Sequence, residues 1–123
     1  MEKRINRTVT SPPFSIKQRK IKSFAEQIVL QFHPEKVILF GSHAYGKTSS
    51  GSDVDLLIIM NTTLKPIAQE VLIRKSIPRD FPLDLIVMTP QQIDKRRKLG
   101  DAFINTILLK GKVLYGKNNI RVD

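Results

Sequence analysis

Three aspartates and one glycine-serine pair are the places where this sequence could do chemistry. Asp53 and Asp55 open the apolar run DVDLLIIM, Asp84 lies inside LDLIVM, and Gly41-Ser42 follows directly on KVILF. If residues 53–60 form a strand, Asp53 and Asp55 stand at positions i and i+2. Their side chains then leave the same face with α-carbons roughly 6–7 Å apart. Two carboxylates held together resist being ionised at once unless a cation neutralises them. Oxygen donors of this kind select a hard ion, Mg²⁺ before Ca²⁺ or zinc. The plainer reading of an isolated Asp-x-Asp is a pair of polar residues at a strand mouth.

Asp84 is the only acid of its apolar run, where an unpaired carboxylate is poorly solvated. If its strand lies beside that of Asp53 and Asp55, the three form a cluster, and Asp84 can act as general base toward an attacking hydroxyl. An edge-strand aspartate facing water is the competing reading. Gly41 lets a phosphate approach the backbone, the Ser42 hydroxyl can donate to a phosphate oxygen, and a helical turn at His43-Ala44-Tyr45 would offer free N–H groups to an anion.

The elements that must hold these residues follow from apolar spacing. Ile21, Phe24, Ala25, Ile28, Val29 and Phe32 recur every three or four residues, which predicts a helix from about residue 15 to His33-Pro34. Lys36 to Phe40 reads as a strand buried on both faces, Asp53 to Met60 as a second and Leu83 to Met88 as a third. Between the second and third strands, Leu64, Ile67, Ala68, Val71 and Leu72 return to helical spacing. Thr89-Pro90 is a helix start, a break falls near Gly100-Asp101, and Asp101 caps a second piece carrying Phe103, Ile104, Ile107 and Leu108. Gly111 ends that piece, and Val113-Leu114-Tyr115 supplies a small last strand. The expected class is α/β (α+β), a small mixed sheet flanked by helices, with strand polarity left open. The phenylalanines are expected in the core.

At 123 residues the chain fits one domain. We divide it into a basic arm at 1–13 holding Pro12-Pro13, a domain at 14–117 and a tail at 118–123. The absence of cysteine excludes disulfides and thiolate metal sites. Two histidines, His33 and His43, far from any shared motif, argue against zinc. The longest apolar runs fall far short of the roughly 20 residues that cross a bilayer. The amino-terminal stretch holds no apolar segment of signal-peptide length, so a cytoplasmic protein without a membrane partner is expected. The net charge of +10 sits at the two ends: residues 1–22 carry seven Lys/Arg against one acid and residues 91–123 eight against three. A near-neutral centre between basic segments suits a site that receives a polyphosphate or works near nucleic acid, and it equally suits a solubilising surface.

Ten residues separate Ser42 from Asp53, so GSHAYGKTSSGSDVDLLI reads as Gly-Ser, ten residues, Asp-x-Asp. This resembles the signature of the DNA polymerase beta-like nucleotidyltransferase superfamily. The short chain and its ending LLKGKVLYG look most like the minimal nucleotidyltransferases, small proteins often paired with a HEPN-domain partner. The resemblance covers roughly residues 20–116. It implies a palm-like nucleotidyltransferase fold, with Asp53, Asp55 and Asp84 as catalytic metal-binding carboxylates and Gly41 and Ser42 as nucleotide-binding residues. It further implies two Mg²⁺ ions and an NTP, by preference ATP, whose NMP moves to a hydroxyl acceptor with release of pyrophosphate. The toxin of a toxin-antitoxin pair is one such acceptor. Relatives commonly carry arginine where this chain has His43 and Tyr45, and Lys47 stands near enough to compensate at the triphosphate, although a solvated loop lysine is the simpler reading. Two other readings stand beside this one: an antitoxin that works by binding alone, and, ranked last, a basic nucleic-acid-binding module. The acceptor, the preferred base and any homo-oligomer are not encoded in these motifs.

Overall fold

The computed structural model describes residues 16–46 and 52–116. The arm at 1–13, the tail at 118–123 and Lys47 lie outside the described residues. The order of elements is α1 (Ile16–Phe32), β1 (Lys36–Phe40), α2 (Ser42–Tyr45), β2 (Val54–Ile59), α3 (Pro66–Ser76), β3 (Leu83–Met88), α4 (Pro90–Lys98), α5 (Ala102–Lys110) and β4 (Lys112–Gly116). The predicted α/β class and order of elements are therefore those of the structure.

The four strands form one sheet in the order β3-β2-β1-β4. β1 runs antiparallel to both β2 and β4, whereas β2 and β3 run parallel. A parallel neighbour needs a crossover, and α3 supplies it. Strand alternation then gives the sheet two faces. On one, Val37, Leu39, Val54, Leu56, Ile58, Leu85 and Val87 pack against Ile21, Phe24, Ala25 and Ile28 of α1 and Ile73 of α3. Phe24 and Phe81 meet edge to face at 5.7 Å on this side. On the other, Ile38, Phe40, Leu57 and Ile59 meet Ile93 of α4 and Ile104 and Ile107 of α5. Full burial of one such side chain stabilises the fold by about 1.5–3 kcal/mol.

Helix ends follow local chemistry. α1 stops at His33, which takes the left-handed conformation (φ 51°) and donates its N–H to the Val29 carbonyl at 3.1 Å. The next residue, Pro34, has no N–H with which to continue the helix. α4 opens with the expected Thr89, whose hydroxyl accepts from Gln92 N while the Gln92 side chain accepts from Thr89 N, a reciprocal cap followed by Pro90. The expected break after α4 is present, and the Asp101 carboxylate accepts from Ile104 N at 3.0 Å to start α5.

α3 departs from expectation. The apolar stripe that sequence periodicity picks out there is not the buried face. Ile67 is 74% exposed and Leu72 44%, while the residues turned to the sheet are Ile73 and Gln69, the latter only 4% exposed. Gln69 is satisfied in place: its carbonyl oxygen accepts from the Thr62 hydroxyl at 2.6 Å. Along the sheet edge, Arg74 donates to the Leu83 carbonyl at 2.9 Å and Glu70 accepts from Val87 N at 3.3 Å, so α3 is fastened to β3 by polar contacts. Among the described residues, no helix is long and apolar enough to cross a membrane.

Candidate functional site

β2 begins at Val54, so Asp53 lies one residue before it and Asp55 is its second residue. In the parallel pairing of β2 with β3, Asp55 stands directly opposite Asp84, and in the antiparallel pairing with β1 it stands opposite Phe40. Residues paired in this way share a face and lie about 4.8 Å apart across the strands. Asp55 and Asp84 therefore continue the rows that hold Leu57 and Ile86 on the α4–α5 side, at the end where the two helices no longer cover the sheet. Val54, between the two acids of β2, is fully buried on the opposite face.

The sheet brings the three acids to one end, and their environments differ. Asp53 and Asp84 are exposed and Asp55 is half-buried. Asp84 is on the edge strand and faces water, so the poorly solvated carboxylate expected from its apolar run is not what the fold makes of it. Burial pushes the Asp55 carboxyl above the usual aspartate range; the charges of Asp84 and then Asp53 push the same way, and His43 acts in the opposite direction. The central acid thus senses both of its neighbours. His43 Nε2 lies 3.2 Å from the Ser52 carbonyl oxygen, which ties α2 to the backbone just ahead of Asp53.

Gly41 is required twice. Its backbone (φ 74°, ψ −159°) lies in a region open essentially to glycine alone. A side chain there would also drive its Cβ into the Asp55 carboxylate. The Gly41 carbonyl accepts from Ala44 N at 3.0 Å and Tyr45 N at 3.1 Å, so the predicted turn of helix forms, with Ser42 as its first residue. Gly41-Ser42 and Asp55 are in this way packed as one unit at the acidic end of the sheet.

The donor chemistry fits a cation: carboxylate oxygens only, with repulsion that a cation would relieve. Among the described residues, however, no three His, Cys, Asp or Glu side chains are already clasped as an ion-binding group. Asp53, Asp55 and Asp84 are the residues that could hold one by side-chain rotation, and a bound divalent ion would there screen the carboxylates and polarise phosphate oxygens.

One residue beside the acids was not read from sequence as part of the site. Phe103 was expected in the core, yet it is 51% exposed and packs edge-on against Phe40 at 5.7 Å. Phe40 is the β1 partner of Asp55, so Phe103 forms an aromatic flank to the acidic end. The signal that could have found it is its neighbour Ile104: consecutive helix residues point about 100° apart, so the fully buried Ile104 turns Phe103 to the flank of α5. Tyr45, one of the two positions where relatives commonly carry arginine, is 42% exposed at the end of α2.

Comparison with known proteins agrees with this fold. The sequence model of the family "Polymerase beta, Nucleotidyltransferase" matches residues 19–120. No curated protein matches the chain in sequence. Among solved structures, the chain is similar to a Sulfolobus solfataricus protein assigned as a nucleotidyltransferase, with a TM-score of 0.51 and 24% identity over 63% of this chain and 70% of that one. It is also similar to a chain of a toxin-antitoxin structure with AMP-PNP, with a TM-score of 0.51 and 20% identity over 80% of this chain and 75% of that one. At these identities the two structures speak for the fold.

Proposed function

Because this chain belongs to the polymerase beta nucleotidyltransferase family, we propose that it moves a nucleotidyl group, AMP by preference, from an NTP to a hydroxyl acceptor at Asp53, Asp55 and Asp84. The observation that carries the reading is the pairing of Asp55 with Asp84 across adjacent strands, with Asp53 two residues away and Gly41 packed against Asp55. Gly41 and Ser42 hold the triphosphate, the glycine by leaving room for it and the serine by donating its hydroxyl. Asp53, Asp55 and Asp84 would hold two Mg²⁺ ions, which when bound would supply a lowered pKa at the acceptor hydroxyl and neutralisation of the triphosphate. Asp84, the most open of the paired acids, takes the proton of the acceptor hydroxyl. The acceptor oxygen bonds to the α-phosphorus in line, the bond to the β-phosphate oxygen breaks, and pyrophosphate leaves with that oxygen's electron pair.

The protein is read as a minimal nucleotidyltransferase of the cytoplasm, acting as the antitoxin toward a small helical HEPN-type toxin. The likeness in fold to a chain of a toxin-antitoxin structure with AMP-PNP supports this. In that setting the toxin itself is the acceptor.

Calorimetric titration of ATP with Mg²⁺ tests the site. Wild type is expected to bind and the double variant Asp53→Asn/Asp55→Asn to lose metal-dependent binding; equal binding by both would remove the assignment. Co-expression with the toxin tests the chemistry. An AMP adduct on the toxin, absent with Asp84→Asn, is expected, whereas protection without an added AMP mass would show that binding alone is responsible.

A further inference from the structure

The stripe that sequence periodicity marks as apolar on α3 has no cover among the described elements. Leu64 in the preceding turn and Ile67, Val71 and Leu72 on the helix are 43%, 74%, 43% and 44% exposed, and Ala68 beside them is exposed too. Their spacing is that of anchors on one side of a helix, directly opposite Ile73 and Gln69, which face the sheet. Such a face, nearly two turns of helix with Leu64 just ahead of it, matches the way one amphipathic helix lies along another.

The charges around the stripe identify what it can accept. Glu70 and Arg74, the two charges nearest the sheet, are engaged with β3 at Val87 N and the Leu83 carbonyl. The exposed charges left at the two ends of the stripe are Lys65 and Lys75. Both ends are positive. A second copy of this chain, paired antiparallel through the same face, would set Lys65 against its partner's Lys75, and like charges across an interface are costly. Residues 1–22, with seven Lys/Arg against one acid, carry the same sign as these ends.

We propose that the outer face of α3, Leu64, Ile67, Ala68, Val71 and Leu72, docks an amphipathic helix of another protein whose apolar side is flanked by Asp or Glu. This deepens the partner part of the function proposed above and does not depend on nucleotidyl transfer. Ile67 and Val71 are the anchors, and Lys65 and Lys75 set the orientation and exclude basic partners.

The test uses the full chain and two synthetic fluorescent helical peptides with one leucine face, flanked in one by glutamate and in the other by lysine. Anisotropy is expected to show the glutamate peptide binding at least about tenfold more tightly than the lysine peptide, a difference of about 1.4 kcal/mol. The variant Ile67→Gln/Val71→Gln, conservative in helix propensity and distant from the acids, is expected to lose at least about tenfold in affinity. It should keep its circular dichroism and its ATP-Mg²⁺ titration, so failure of the docking face and failure of the nucleotide site read out separately. No binding of either peptide, equal binding of both, or binding indifferent to the double variant overturns the proposal. So does a wild-type dimer that the variant converts to monomer, which would make the occupant a second copy. Faster amide exchange in 66–76 after removal of residues 1–13 would make it the chain's own arm, and would overturn the proposal equally.

Discussion

The two faces of the sheet are built from alternate residues of the same strands and end differently. On the α1–α3 side, Val54, Leu56 and Ile58 are fully buried, and the apolar row runs to the very start of β2. On the α4–α5 side, Leu57 and Ile59 are buried and the next residue in the row is Asp55. One face spends its whole length on stability, and the other stops short and presents carboxylates where its helical cover runs out. A cluster of carboxylates can thus be added to a small domain without breaking its core, provided that the acids take the last place in a row and the opposite face holds the strand.

The widest separation is expected between neighbours on one strand. Asp55→Asn should lower nucleotidyl transfer by about a thousandfold, equivalent to several kcal/mol of lost charge stabilisation. Its melting temperature without metal should rise, because the repulsion from Asp84 and Asp53 is gone. Leu56→Ala should instead lose about 2–5 kcal/mol of stability in denaturant titrations. If both variants lost stability alike, the division of labour between the faces would not hold.

Gly41→Ala sits where site and fold meet, and should lose about 1–3 kcal/mol together with nucleotide binding. A variant that melts early yet binds ATP normally would detach the glycine from the site. Thr89→Ala removes the cap of the helix covering the second face and should lose about 1 kcal/mol, read by thermal unfolding, with transfer activity retained.

The smallest effect concerns acid. The Ile104 N–H, and after it Arg96, hold the Asp101 carboxyl below its ordinary value of 3.8. A lowered folded-state value contributes stability that is present above 3.8 and is lost as pH falls through the folded-state value. Asp101→Asn, which can still cap α5, should therefore melt with a shallower dependence on pH in that range.

Chemistry and pattern made part of this legible from sequence. The acids, the Gly-Ser pair, the Thr89 cap and the break at Asp101 each have a local physical cause, and each appears where its cause lies. Strand polarity has no local cause, so the parallel pairing that sets Asp84 opposite Asp55 came only with the fold. Periodicity reveals that a helix has an apolar stripe and is silent about what covers it. Hence α3 turned Gln69 inward and Ile67 outward. Phe103 was misread for a related reason: an apolar residue in a helical pattern says nothing of whether it stands at the centre of the buried face or on its flank, and here Ile104 takes the centre.

The polar contacts of α3 with β3 bear on a different hazard. β3 is an edge strand, and an open row of backbone donors and acceptors is a template onto which any passing strand can assemble. Arg74 and Glu70 already occupy a carbonyl at Leu83 and an N–H at Val87. A newly made copy in a crowded solution therefore meets its siblings with that margin partly occupied, and a strand adding at β3 has to displace these contacts of α3 first.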